Sequence, residues 1–252
     1  MLVWPKYLQA KSLEWIEKSS LVSLVFPNEC AFCQCAVDGG QRLCEACLQQ
    51  LVSNRYCCQR CAMPLPSVLP NDQCSRCRDH HWHFSNILAL GHYQGKLREA
   101  VILCKKLRVE YLRYALAQEL ANRIRERFPD MQQREPLIVP IPYHWSRTLA
   151  RTASTANSLA ELLSQHSGWP VATRMVRRIR RTGKQGMLSL VERQQNVRGA
   201  FQIVGSPSLS GRHLLIVDDV VTSGATANEL AKQLRRTKPL EISVVALARA
   251  TG

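Results

Sequence analysis

The chain has 252 residues, 46% of them hydrophobic, and carries 34 Lys and Arg against 19 Asp and Glu. That is the make-up of a globular protein of one large or two modest domains, and it excludes a low-complexity or acidic disordered chain. A formal charge of +15 suits a polyanionic partner, nucleic acid or small phosphates, without choosing between them.

No apolar run reaches the ~18 residues of a membrane helix, so no membrane span is expected. The first fifteen residues lack the basic-then-apolar order of a secretory signal, which points to a cytoplasmic address. Residues 1–26 form a lead segment in which Leu8, Leu13, Trp15 and Ile16 suit a short packing helix, with Pro27 as its stop.

Residues 28–79 hold four Cys-x-x-Cys pairs: Cys30/Cys33, Cys44/Cys47, Cys58/Cys61 and Cys74/Cys77. Eleven cysteines in a chain without an export signal argue against a disulfide scaffold. One such turn places two thiolates on a metal, and a second completes a tetrahedron. Few long apolar residues lie here, so bound metal has to supply folding free energy that a core does not. The segment therefore reads as two closed, structural zinc sites of four cysteines each, which would bring the net charge to about +11. Spacing leaves the pairing of the turns open. Cys35 and Cys57 could shift a register, His80, His81 and His83 are either substitute ligands or surface residues, and an iron–sulfur cluster is the competing occupant. Cys104 lies in an apolar helical pattern and reads as a core residue.

From Asn86 the composition changes, which divides the chain into a zinc-binding module, 1–84, and a main domain, 85–252. Ile87–Tyr93 predicts a strand, Gln94-Gly95 a turn, and residues 96–107 and 110–128 two helices. Leu137–Pro142 is a short apolar strand from which the chain departs, because Pro140 and Pro142 cannot donate to a ladder. Arg147 and Arg151 follow its carboxyl end, where α/β sheets bind ligands; they are candidates for pyrophosphate, or else solvated surface arginines. Residues 155–164 return to helix. Residues 172–198 carry eight basic residues and one acid. They read as a mobile arm able to close over an anion, or as a solvated loop or nucleic-acid strip. Within them Ser189 and Glu192 have capping-box spacing for a short helix, 190–196. Strands are expected at 201–204 and 242–247. Alternating strand and helix is the grammar of a parallel α/β sheet.

The stretch that organises the domain is Leu214–Thr226, LLIVDDVVTSGAT. Leu214–Val217 reads as a buried strand, and Ala227, Leu230, Ala231 and Leu234 mark a helix beyond it. Between them, a loop entering a helix N-terminus offers unpaired N–H groups and a partial positive charge to a phosphate. Gly224 admits close backbone approach, and Thr222, Ser223 and Thr226 add hydroxyls beside Ala225. Asp218 and Asp219 would repel phosphate, so they suit a ribose diol or a Mg2+ bridging to the ligand. This is a sugar-phosphate site.

The thirteen residues resemble the phosphoribosyl pyrophosphate (PRPP) motif of type I phosphoribosyltransferases. The Cys pairs, Val139–His144, Glu192–Phe201 and Val217–Thr226 together resemble the ComF family, in particular its GntX-type members. The resemblance implies an α/β, type I phosphoribosyltransferase-like parallel sheet flanked by helices, preceded by the small Cys-rich zinc-binding module. It implies PRPP or another phosphoribosyl ligand at Asp218, Asp219 and Thr222–Thr226, with Mg2+, and a role in uptake or utilisation of exogenous DNA. The alternative is a non-catalytic protein that senses PRPP or binds single-stranded DNA, working with DNA-uptake proteins. Where family members carry Arg-Gly-Phe-Asn-Gln, this chain has Arg151-Thr-Ala-Ser-Thr-Ala156, and no acid or base is named by the sequence.

Overall fold

A computed structural model describes residues 29–38, 40–52, 56–66, 74–78, 80–106, 109–142, 155–180, 190–205 and 208–251. The expected lead helix, Arg147, Arg151 and the centre of the basic arm lie outside them. Two compact units are present, residues 1–49 and 50–252.

In the first unit the chain turns at Cys30–Cys33. The N–H of Cys30 donates to the Cys35 carbonyl at 2.7 Å, and that of Gln34 donates back to Cys30 at 2.9 Å. Gln34 takes a left-handed conformation, φ 64°. A bridge between Glu29 and Ala36 closes the turn, and Cys44 leads into helix α1 (Glu45–Leu51).

The second unit repeats this turn with a different sequence. Cys58 donates to Met63 at 2.8 Å, Ala62 donates to Cys58 at 2.9 Å, and Ala62 is left-handed, φ 55°. A bridge between Cys57 and Pro64 closes it, and Cys74 leads into α2 (Ser75–Arg78). Two unrelated hexapeptides reach one geometry because the chain must aim two sulfurs at a common point.

The remainder of this unit is a four-stranded parallel sheet. Strands β1 (Asn86–His92), β2 (Leu137–Pro140), β5 (His213–Val221) and β6 (Glu241–Arg249) lie in the order β1-β6-β5-β2. The central β6 is buried along almost its whole length, which is why it reads as a continuous apolar run instead of an alternating one. Helices α3 (Gly95–Cys104), α4 (Glu110–Arg127) and α6 (Thr155–Ser167) pack on these strands, with a one-turn α5 (Met131–Arg134) between them. In α4 the buried Leu112, Leu116, Leu120 and Ile124 recur every fourth residue, the stripe of a helix lying on a sheet.

The other sheet face is covered by α8 (Ala225–Arg235) through Ala227, Leu230, Ala231 and Leu234, and by Trp82 and Phe84. The second cysteine cluster belongs to this same core: Cys58, Cys61, Cys74 and Cys77 pack with Trp82, Phe84, Val221 and Ala227. The N–H of Ile87, at the start of β1, donates to the carbonyl of Arg60 inside the cysteine turn at 3.0 Å.

The basic arm is anchored at both ends. Strands β3 (Val176–Arg178) and β4 (Phe201–Ile203) form an antiparallel pair, and α7 (Leu190–Val197) sits between them in sequence. Arg180 donates to the carbonyls of Gln195, Asn196 and Arg198, the shortest bond being 2.7 Å. Strand β3 is not expected from the sequence, since three residues with two arginines carry no periodic signal. Cys104 is fully buried, and burial pushes its thiol up to about 12. Among the described residues no helix is long and apolar enough to cross a membrane.

Because the second cluster shares the core, Cys58→Ser should destabilise the whole second unit. The expected loss is on the order of 5 kcal/mol, a large part of a typical domain's stability. Chemical denaturation followed by circular dichroism measures this, and an unchanged midpoint would show that the cluster is not part of the core.

Candidate functional site

The described cysteines settle the pairing of the turns. Cys30, Cys33, Cys44 and Cys47 bring four sulfurs within 4.8 Å of one another, and so do Cys58, Cys61, Cys74 and Cys77. A tetrahedron with metal–sulfur bonds of about 2.3 Å has edges of about 3.8 Å. The Sγ atoms of Cys33 and Cys44 are 3.7 Å apart, those of Cys58 and Cys77 3.8 Å, and those of Cys61 and Cys74 3.5 Å. These separations match the edges of a zinc tetrahedron in both clusters. The N–H of Cys74 points at the Cys58 sulfur, 3.4 Å away. Burial opposes ionisation of Cys58, but backbone N–H groups of Cys74, Cys61 and Arg60 outweigh it and bring this thiol down to about 7. Cys35 lies 3.3 Å from Cys33, beside the first cluster, and the three histidines lie in neither cluster.

At the carboxyl end of the sheet, β5 runs four residues past the expected stop, so both aspartates lie within the strand. Neighbouring strand residues point to opposite faces, and the two acids consequently differ. Asp219 is buried and faces the end of α3, where the Lys105 ammonium sits 3.1 Å from its Oδ2. Asp218, partly buried, accepts the N–H of Asp219 at 2.9 Å. Burial, followed by the charge of Asp219, raises Asp218 well above the usual carboxylate range.

After Val221 the chain needs only Thr222 and Ser223 before Gly224 turns it into α8. Gly224 is left-handed, φ 81°, and caps that helix. The turn is held from within: the N–H of Ala225 donates to Ser223 Oγ at 3.3 Å. A Cβ on Gly224 would meet the Trp82 ring at 3.1 and 3.2 Å, so the indole defines one wall of the loop. Trp82 in turn stacks on Phe84, with centroids 5.0 Å apart.

A residue the sequence did not flag fixes the loop. Arg249, at the end of β6, is 1% exposed. Its guanidinium donates to the carbonyl of Cys61 at 2.7 Å, to those of Val221 and Ala250 at 3.0 and 2.7 Å, and to that of Thr222. The turn entering α8 and the second cysteine turn are therefore held by one side chain. Lys105 also carried no sequence signal, since its partner lies 114 positions further on. The structure brings Asp218, Asp219 and Thr222–Thr226 together at one end of the sheet. Arg147 and Arg151 fall outside the described residues.

The arrangement of sheet, turn and helix agrees with sequence comparison. A phosphoribosyl transferase domain model matches residues 111–251, more than half of the chain, and a double zinc ribbon model matches residues 21–78. Competence protein F of Haemophilus influenzae is 30% identical over 82% of this chain and 90% of its own length. The chain belongs to the ComF family. Another relative, DNA utilization protein YhgH of Escherichia coli, is 28% identical over 90% of this chain and 99% of its own. Among solved structures, an L. donovani hypoxanthine-guanine phosphoribosyl transferase aligns at 19% identity and a TM-score of 0.34, over 54% of this chain and 67% of its own, too distant to bear on the site. With the two four-cysteine groups, the ribbon match assigns the clusters to structural zinc.

Two outcomes follow for this family member. Gly224→Ala forces a side chain into left-handed backbone and against Trp82, and should cost roughly 1–3 kcal/mol by denaturant unfolding. Asp218→Asn should raise the ligand-free unfolding midpoint at neutral pH. A carboxyl whose folded pKa is raised favours the fold below its unfolded pKa, and that contribution is lost as pH rises through the folded value. The gain from the amide therefore shrinks as pH falls toward ~4, where both forms are neutral. Thermal melts across pH check the sign.

Proposed function

We propose that the chain binds PRPP or a closely related phosphoribosyl ligand, together with Mg2+, and serves utilisation of exogenous DNA. What supports the reading best is the strand-to-helix turn. Gly224 brings β5 directly onto the N-terminus of α8, so the acid pair and the first helical N–H groups open at the same end of the sheet. A 5′-phosphate takes the N–H groups and hydroxyls of Thr222–Thr226. The ribose diol, or a Mg2+ ion that prefers oxygen ligands, takes Asp218. Lys105, already beside Asp219 and partly exposed, is the cation on hand for pyrophosphate, with Arg147 and Arg151 as further candidates. The role in DNA utilisation is carried over from the names of the relatives.

An ionised Asp218 holds a cation or ribose hydroxyls more strongly than a neutral one, so ligand binding there works against the burial and the Asp219 charge that raise its pKa. Calorimetric titration of the zinc-loaded protein with PRPP and Mg2+ tests the reading. Binding is expected, and Asp218→Asn should weaken it about tenfold or more, that is by ~1.4 kcal/mol or more. No heat with the unmodified protein, or binding indifferent to Asp218→Asn, overturns the reading.

A further inference from the structure

The histidines that do not join the cysteine clusters do something else. The segment His80–Phe84 alternates: Trp82 and Phe84 enter the core, while His81 and His83 lie on the opposite side with rings 5.0 Å apart. The segment is fixed along α8 by side chains of that helix. Asn228 accepts the N–H of His83 at 2.7 Å and donates to the His81 carbonyl at 3.4 Å, and Arg235 donates to the His83 carbonyl at 2.9 Å.

Between this segment, the end of α7 and α8 lies a hollow of about 450 Å³. That is within the range of small-molecule sites. Helix α8 lines it with Ala225, Asn228, Glu229 and Lys232, residues three and four apart and hence one flank, distinct from the core stripe of Leu230 and Leu234. Arg198 and Lys232 bring two exposed cations, and among the described residues neither forms an ion pair. Among the described lining residues the one carboxylate, Glu229, accepts the Gly199 N–H at 3.0 Å and the Gln233 amide at 3.1 Å, so it holds the wall together. His83 has its pKa lowered by burial, then by His81, Lys232 and Arg235, which agrees with a positive interior.

We propose that this hollow, which shares Ala225 with the strand-to-helix turn but not the acid pair, is a second ligand site that takes a nucleotide unit. The phosphoryl group lies on Arg198 and Lys232, and the base stacks on the imidazole of His81. Two cations beside flat aromatic rings match phosphate and base of one nucleotide, whereas inorganic phosphate would leave the rings and most of the volume unused. A free nucleotide and a nucleotide within a single strand share that chemistry.

Fluorescence anisotropy of the zinc-loaded full chain with labelled oligo(dT), competed with dTMP, tests the site. Oligo(dT) is expected to bind, with an affinity that falls as salt rises. The Arg198→Ala/Lys232→Ala double variant should weaken it about tenfold or more and flatten the logarithmic salt slope by roughly one to two, while His81→Ala weakens binding and leaves the slope unchanged. If dTMP competes at concentrations comparable to oligo(dT), the site stands and free nucleotides are its occupants. If neither ligand binds, or the double variant binds oligo(dT) like the unmodified chain, the proposal is overturned. PRPP calorimetry on the same double variant keeps the two readings apart, since loss of oligo(dT) with PRPP heat intact concerns this hollow alone.

Discussion

A buried guanidinium held by backbone carbonyls is the constraint on which the second unit depends. Arg249 has carbonyl acceptors from three separate stretches of chain around it: the cysteine turn, the loop that follows β5, and its own strand end. A charge withdrawn from water is costly unless it is paired, and Nε and Nη1 of this guanidinium both meet carbonyls. Lysine could not replace it, because an ammonium lacks the planar fork that reaches several directions at once. The arrangement also solves a problem for the turn, where the carbonyl of Thr222 lies past the end of β5 and ahead of α8.

This fixes how the second cysteine turn and the strand-to-helix turn are linked. The turn at Cys58–Cys61 presents its last carbonyl to Arg249 and its Arg60 carbonyl to the first strand. The loop it supports is walled by Trp82, which follows Cys77 by five residues. Metal binding thereby sets the conformation of a wall and of a carbonyl acceptor, both of which bear on the strand-to-helix turn. A structural zinc placed here acts on the strand-to-helix turn through the protein alone, by way of Trp82 and Arg249.

Much of this was readable from residues, and the reasons differ. The strand, the acids and the hydroxyl-rich turn were legible because each of their jobs needs a particular side chain at a particular place. The parallel sheet was legible because β5 and β6 are apolar over most of their length, and the four-cysteine sites because tetrahedral ligation imposes a spacing. Arg249 was not, because an arginine at the end of an apolar run looks like a strand terminus meeting water. Its acceptors are main-chain atoms, which sequence does not mark. The inequality of Asp218 and Asp219 was missed because β5 continues through them, so alternation of strand faces separates two residues that look like a matched pair. The sequence left the histidines open between substitute ligands and surface residues because they stand near cysteines along the chain, while His81 and His83 meet α8, some 145 positions away.

The bond from Arg249 to Cys61 spans 188 residues. During synthesis the first cysteine cluster is complete once Cys47 has emerged, and the second once Cys77 has, but the second turn gains its arginine only when the last strand is made. Ordering of the second cysteine turn and of the strand-to-helix turn therefore awaits synthesis of β6, so a nascent fragment can hold metal before that turn is fixed.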